Sequence, residues 1–243
     1  MDGAPRHLAP TACFQKVFMI PWTLIDTGAI PGTNDTLRLM QRGSEFSIML
    51  GANQLMNSRL SGSEVALATL ACARTADRKE RRILIGGLGM GFTLRAALVV
   101  AGDKARIVVA ELVPAVIAWA RGPLSGIFEN ALDDPRVDLR QADVGDVIRS
   151  KKSAYDAILL DVDNGPEGLT REGNDWLYHA AGLREAYSAL RPGGVLAVWS
   201  GGPDDAFTRR LRRAGFSVDD VAVRATGARK GARHRIWLAT RPA

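Results

Sequence analysis

From residue 82 onward, short runs rich in Ile, Val and Leu alternate with stretches whose apolar residues recur at helical spacing. The runs fall at residues 82–85, 106–110, 137–141, 156–160 and 195–199. They show little polar alternation, the pattern of strands covered on both faces in a parallel sheet. Helices are predicted at 92–101, 114–121 and 176–190, and Pro192-Gly193-Gly194 stops the last of them before the fifth strand. The C-terminal part reads differently. A helix over 207–214, closed by Gly215, is followed by two β runs, 216–224 and 234–240, joined by the basic loop 225–233. Strands so close in sequence predict an antiparallel hairpin that completes an otherwise parallel sheet.

The first 60 residues stand outside this alternation. Residues 36–42 and 45–50 form a predicted hairpin turning at Gly43-Ser44, and 51–60 continue irregularly. A helix over 63–76, capped by Ser61 or Ser63, leads to the first core strand. The expected division is a small N-terminal β subdomain, 1–60, followed by a Rossmann-like α/β domain, 61–243, with a seven-stranded sheet.

Composition narrows the chemistry. At 243 residues, 47% hydrophobic and 24% charged, the chain can bury a core. Cys13 and Cys72 are its two cysteines, too few for a disulfide framework or a multi-cysteine zinc site. His7, His179 and His234 lie far apart without partners at ligand spacing, so no metal is expected. The longest apolar stretch, 83–100, is broken by Gly86, Gly87, Gly89, Gly91 and Arg95, unlike a membrane span of about 20 apolar residues. With no secretory pattern at residues 1–10 either, a soluble cytoplasmic protein is expected. The net charge of +6 raises the question of a nucleic-acid partner. Arg209, Arg212 and Arg213 fit the outer face of an amphipathic helix, however, and the basic loop carries no interleaved aromatics. Both features favour a solvated surface.

The densest motif is Ile83-Leu84-Ile85-Gly86-Gly87-Leu88-Gly89-Met90-Gly91, a strand entering a glycine turn and then a helix. Gly87, Gly89 and Gly91 allow a tight turn and a close backbone approach to a ligand, and the helix start behind them offers free N–H groups. Glu111 ends the next strand, 24 residues after Gly87, where an acid accepts hydrogen bonds from a ribose diol; it also reads as a helix-start charge before Pro114. Asp143 follows the third strand and suits either an adenine contact or the N-cap of a short helix running to Ile148. Asp161 and Asp163 close the fourth strand and share a face if it persists, although Asp163-Asn164-Gly165-Pro166 also has the composition of a turn. In an open parallel sheet ligands sit outside the carboxyl ends of the strands, and all these groups fall there. Paired carboxylates at such a rim suit a cationic or amine substrate and can orient or deprotonate it.

These residues give the chain a resemblance to the spermidine synthase-like branch of the class I S-adenosylmethionine (AdoMet)-dependent transferase fold, over about residues 36–196. The matching pieces are the Ile-Gly-Gly-x-Gly-x-Gly turn, Ala110-Glu111-Leu112-Val113-Pro114, Asp133-Asp134-Pro135-Arg136-Val137 with the following Asp143, the run 155–166, and Leu190-Arg191-Pro192-Gly193-Gly194. The resemblance implies that Gly87, Gly89, Gly91, Glu111 and Asp143 bind the cofactor, with Gln54 of the β subdomain reaching its ribose. It implies Asp161 and Asp163 as catalytic acids at the acceptor, with Glu64, Trp176 and Tyr178 lining the acceptor pocket and Trp22 in a lid.

The sequence also departs from that family. The acid of the family's G-G-G-D-G-G turn is Met90 here, the second acid of its D-S-S-D-P run is Asn164, and its Y-H-E becomes Gly62-Ser63-Glu64. That missing acid faces the amine end of decarboxylated AdoMet. Its loss leads to the expectation of AdoMet as cofactor and of methyl transfer to a small-molecule amine or ring nitrogen. The alternative is an aminopropyltransferase using decarboxylated AdoMet, which Asp161 and Glu64 keep open. Further behind stand a dinucleotide enzyme and an RNA-modifying or nucleic-acid-binding protein. The branch also implies a possible homodimer.

Overall fold

Two sheets organise the computed structural model, which describes residues 20–162, 175–226 and 231–243. Strands β1 (Thr23–Ala29), β2 (Thr36–Arg42), β3 (Glu45–Leu50) and β4 (Asn53–Asn57) form an antiparallel sheet in chain order. Helix α1 (Gly62–Arg74) then leads into β5 (Arg82–Gly86), α2 (Phe92–Val100), β6 (Arg106–Glu111), α3 (Pro114–Arg121) and α4 (Ser125–Phe128). The chain continues through β7 (Val137–Gln141), α5 (Val144–Arg149), β8 (Tyr155–Leu160), α6 (Asp175–Tyr178), α7 (Ala180–Ala189) and β9 (Leu190–Ser200). It closes with α8 (Asp205–Arg213), β10 (Ser217–Arg224) and β11 (Arg233–Thr240).

The second sheet has the order β10-β11-β9-β8-β5-β6-β7. Strands β9, β8, β5, β6 and β7 pair in parallel, whereas β11 runs antiparallel to β9 and β10 antiparallel to β11. This is the Rossmann-like α/β arrangement expected from the sequence, hairpin included. Its centre is dry on both faces: Ile83, Leu84 and Ile85 of β5 and Ala157, Ile158 and Leu159 of β8 are all buried. That two-sided burial is why these strands read as unbroken apolar runs. The direction of strand order reverses at β5, from which β6 and β7 lie one way and β8 and β9 the other. Such a reversal opens a crevice at the carboxyl ends of the strands.

Several boundaries differ from the sequence expectation. Strand β1 was not anticipated; its residues are almost all exposed, so it lacks an apolar signature. It is held on α3, where the Trp119 indole Nε1 donates to Asp26 Oδ2 at 2.7 Å and Gly28 packs against Ala115. Residues 53–57, expected to be irregular, form β4. The long helix 176–190 is interrupted at His179, where Gly182 lies against the Trp176 carbonyl too closely for any side chain. Strand β9 begins at Leu190 rather than 195, because Arg241 holds the Pro-Gly-Gly segment through paired backbone hydrogen bonds with Gly193 and Gly194. Among the described residues, no helix is long and apolar enough to cross a membrane, and no cluster of His, Cys, Asp and Glu could hold a metal ion.

Candidate active site

Between the two sheets, over the strand-order reversal, lies a cavity of about 420 Å³. Its floor is the turn from β5 into α2, and its opposite wall is apolar, with Leu37 and Ile48 from the N-terminal sheet. The turn has the backbone the sequence demands. Gly87 has φ of +89° and a Cβ there would stand 2.5 Å from the Asp161 carbonyl oxygen; Gly91 has φ of +79° and a Cβ there would stand 2.4 Å from the Phe128 ring. Glycine is required at both by backbone conformation and by neighbouring protein atoms.

On the β6 and β7 side of the turn stand two acids. Glu111 is buried and lines the cavity; its two oxygens accept from the backbone N–H groups of Val113, at 2.7 Å, and Leu88, at 2.9 Å. Burial pushes its carboxyl above the ordinary range, opposed by those N–H donors. Asp143 caps α5 by accepting from Gly145 N at 2.7 Å and also lines the cavity. The helix-cap reading of Asp143 is thus realised, in a residue that faces the same space. Gln54, on β4, lines the cavity as well and donates to Ser47 Oγ at 2.8 Å.

On the β8 side stands a second pair of acids. Asp161 follows the last residue of β8 and Glu64 sits in the first turn of α1; both line the cavity. Thr93, buried at the start of α2, donates its hydroxyl to Asp161 Oδ2 at 2.6 Å. Ser63 donates to Glu64 Oε2 at 2.7 Å. Burial pushes the Asp161 carboxyl up to about 7; the neighbouring Glu64 charge adds to the rise and the Thr93 hydroxyl opposes it. Glu64 is also raised by burial, with Ser63 opposing. Each carboxylate thus favours the protonated form of the other, so the two titrate as a linked pair.

The remaining sequence candidates are elsewhere. Trp176 packs on Gly145 with the Arg149 guanidinium 4.3 Å over its ring, and Tyr178 is buried against Phe207 with its hydroxyl donating to the Val162 carbonyl. Neither is among the described residues lining the cavity. Trp22 is exposed, with the Arg42 guanidinium 4.6 Å over its ring. Asp163 lies outside the described residues.

Sequence reasoning missed three polar contributors: Ser63, Thr93 and His234. His234 lines the cavity, with Nδ1 2.9 Å from Ser63 Oγ and its ring edge-on to Trp199 at 4.8 Å between centroids. The signal that could have found it is topological. A final strand antiparallel to β9 starts at the rim where the parallel strands finish, and Arg235 pairs with Ser200, the last residue of β9.

No protein-family profile matches the chain. Curated relatives do. A polyamine aminopropyltransferase of Mycobacterium tuberculosis is 34% identical over an aligned length of 153, with 59% of this chain and 28% of that protein covered. Polyamine aminopropyltransferase 1 of Streptomyces coelicolor is 31% identical over 149 residues, 58% of this chain and 27% of that one. The matched region thus spans little more than a quarter of these relatives' length. Among solved structures, the spermidine synthase of Thermotoga maritima superposes with a TM-score of 0.71 at 20% identity, covering 90% of this chain and 72% of that one. A spermidine synthase in complex with the transition-state analogue AdoDATO gives 0.70 at the same identity and coverage. At such identity these structures establish the fold.

The resemblance to the spermidine synthase-like branch therefore holds in sequence and in architecture. The expectation of methyl transfer from AdoMet does not: the matching curated relatives are polyamine aminopropyltransferases. The loss of one acid at Met90 was a poor guide to the reaction. Met90 is buried, and four carboxylates, Glu64, Glu111, Asp143 and Asp161, still line the cavity around it. The charge offered to a ligand is collective, so one missing member does not reverse it.

Proposed function

We propose that the cavity takes decarboxylated AdoMet and that the chain transfers its aminopropyl group to the nitrogen of a small amine acceptor of the polyamine type. The observation that carries this reading is the split of carboxylates across the glycine turn. Glu111 and Asp143 stand on the β6 and β7 side, and the Glu64–Asp161 pair stands on the β8 side. The first pair suits a nucleoside, Glu111 toward the ribose and Asp143 toward the base. The second pair suits an ammonium group, since a cation entering between two carboxylates favours the charged form of both.

The co-substrate supplies a carbon made electrophilic by its attachment to a sulfonium. The protein's part is to place an unprotonated amine against that carbon and to exclude competing nucleophiles, for which the apolar wall of Leu37 and Ile48 is suited. As the amine lone pair forms the new N–C bond, the C–S bond breaks with its electron pair left on sulfur, and the nitrogen sheds a proton. Asp161, with a carboxyl titrating at about 7, is matched to accept that proton at neutral pH. Glu64 then retains the negative charge that holds the rest of the acceptor.

Incubation with decarboxylated AdoMet and either putrescine or spermidine should yield the thioether nucleoside and an amine heavier by one aminopropyl unit, both read by mass spectrometry. Calorimetry should show tighter binding of decarboxylated AdoMet than of AdoMet. Absence of product with both amines, or a preference for AdoMet, would overturn the proposal.

A further inference from the structure

The carboxylate pair raises a question of assignment. A proton shed by the attacking amine can settle on either of two neighbouring, partly buried acids, yet only if Asp161 takes it does Glu64 keep the charge that anchors the acceptor. The surroundings of the two are unequal. Asp161 receives one hydroxyl, from Thr93. Glu64 receives the Ser63 hydroxyl, and Ser63 is itself in contact with a ring nitrogen of His234, 171 residues away in sequence. Ser63 is buried at 1% exposure and has a single hydroxyl proton. If that proton points at Glu64, the Ser63 oxygen is left as an acceptor, and His234 must present Nδ1 with a hydrogen. The chain of donors then runs His234 to Ser63 to Glu64 and ends on a carboxylate that is best served when charged.

We propose that His234, acting through Ser63, is a positioning residue that keeps Glu64 the charged member of the carboxylate pair and so leaves proton acceptance to Asp161. Its catalytic consequence rests on the aminopropyl-transfer reading; the hydrogen-bond direction does not. Three features support the role. The ring is fixed edge-on against Trp199, so Nδ1 is held toward Ser63 rather than free to turn. Burial holds the imidazole below its ordinary range, so at neutral pH it is an uncharged donor that adds no competing positive charge. The acidic groups that line the cavity with it are Glu64 of α1, Asp161 beyond β8, Glu111 of β6 and Asp143 after β7. Its strand neighbours Arg233 and Arg235 project to the opposite face, where Arg235 pairs with Asp220 of β10 at 3.4 Å.

The test reads proton positions directly. With three histidines in the chain, nitrogen NMR of the intact protein resolves the neutral form of His234, assigned by its loss in His234→Asn. The hydrogen should sit on Nδ1; a hydrogen on Nε2 would overturn the proposal in the unaltered protein, whatever any variant does. Carboxyl-carbon titration should show the Glu64 midpoint rising by about one pH unit in Ser63→Ala, and by a smaller step in His234→Phe. It should stay in place in His234→Asn, whose amide can donate from the position of Nδ1. Unmoved midpoints in both Ser63→Ala and His234→Phe would also overturn it. In the transfer assay the acidic limb of kcat/KM for the amine should move in the same order, while KM for decarboxylated AdoMet stays constant. A protein that performs no transfer yet shows the Nδ1 hydrogen and the Glu64 shifts would retain the hydrogen-bond assignment and lose only its catalytic meaning.

Discussion

Strand β8 carries a carboxylate near each end, and the protein treats the two in opposite ways. Asp156, near its start, is fully buried and accepts from the Arg78 guanidinium, from Arg191 Nη1 at 3.0 Å and from the Arg82 backbone N–H at 2.7 Å. Asp161, just past its end, lines the cavity beside Glu64 and has the Thr93 hydroxyl as its donor. One acid is wrapped in positive charge; the other stands beside a second negative one. Around Asp156 the balance of charge is complete and leaves nothing for a ligand, so the group ties α1's exit and β9 to the base of the sheet. Around Asp161 it is incomplete, and in the proposed reading an incoming cation completes it. A carboxylate beside a cavity with a second acid as its neighbour, rather than burial alone, is what marks Asp161 as a candidate for function.

Substitutions at the two ends should pull activity and stability apart. The largest effect is expected for Asp161→Asn, which should lower kcat for aminopropyl transfer roughly 10²–10⁴-fold by removing the proton acceptor, measured by thioether release. Asp156→Asn should do the reverse, with unfolding free energy reduced by about 3 kcal/mol in urea titration because two guanidinium groups lose their counter-charge, and kcat little changed in the folded fraction.

The pH dependence of stability gives a third, smaller contrast. Asp161 titrates near 3.8 in an unfolded chain and at about 7 in the fold, so between those values the folded protein holds a proton that the unfolded chain has released. Stability contributed by that proton is complete below the lower value and is lost as pH rises to the higher one. The ligand-free protein should thus lose on the order of 2–4 kcal/mol from Asp161 between about pH 4 and 7, a slope that Asp161→Asn should flatten and Asp156→Asn should leave in place. Smallest is Glu64→Gln: removing the neighbouring charge should lower the Asp161 midpoint by roughly one pH unit, read by carboxyl-carbon NMR, while raising KM for the amine.

Much of this architecture was legible because burial writes itself into composition. Strands β5, β6 and β8 are enclosed by helices, and their runs of Ile, Val and Leu place them without a partner in view. Glycines 87 and 91 were legible for a similar reason, since no other residue suits their backbone. Strand β1 was not, because an exposed edge strand has no face to hide and is defined only by what lies beside it. The start of β9 was obscured by Pro192-Gly193-Gly194, which has turn chemistry until Arg241 pairs with it. At the site, Glu111, Asp143 and Asp161 could be found from their positions after strands. The Ser63–His234 contact could not, being a meeting of distant segments that no local spacing encodes. The nature of the transferred group was misjudged by weighing one absent acid, Met90, against a set of four that remained.

The antiparallel course of β11 also imposes an order on assembly. A chain emerging from the ribosome has Ser63, Glu64, the glycine turn, Glu111, Asp143 and Asp161 in hand once β8 is made, and local pairings can begin to gather them. The imidazole that meets Ser63 arrives 171 residues later, with the strand that runs against the others. Closure over so long a separation comes late and slowly compared with hairpins and helices. The half of the cavity proposed to hold a nucleoside can therefore take shape before the half proposed to manage protons, so the last strand to be made completes a site whose other walls are already in place.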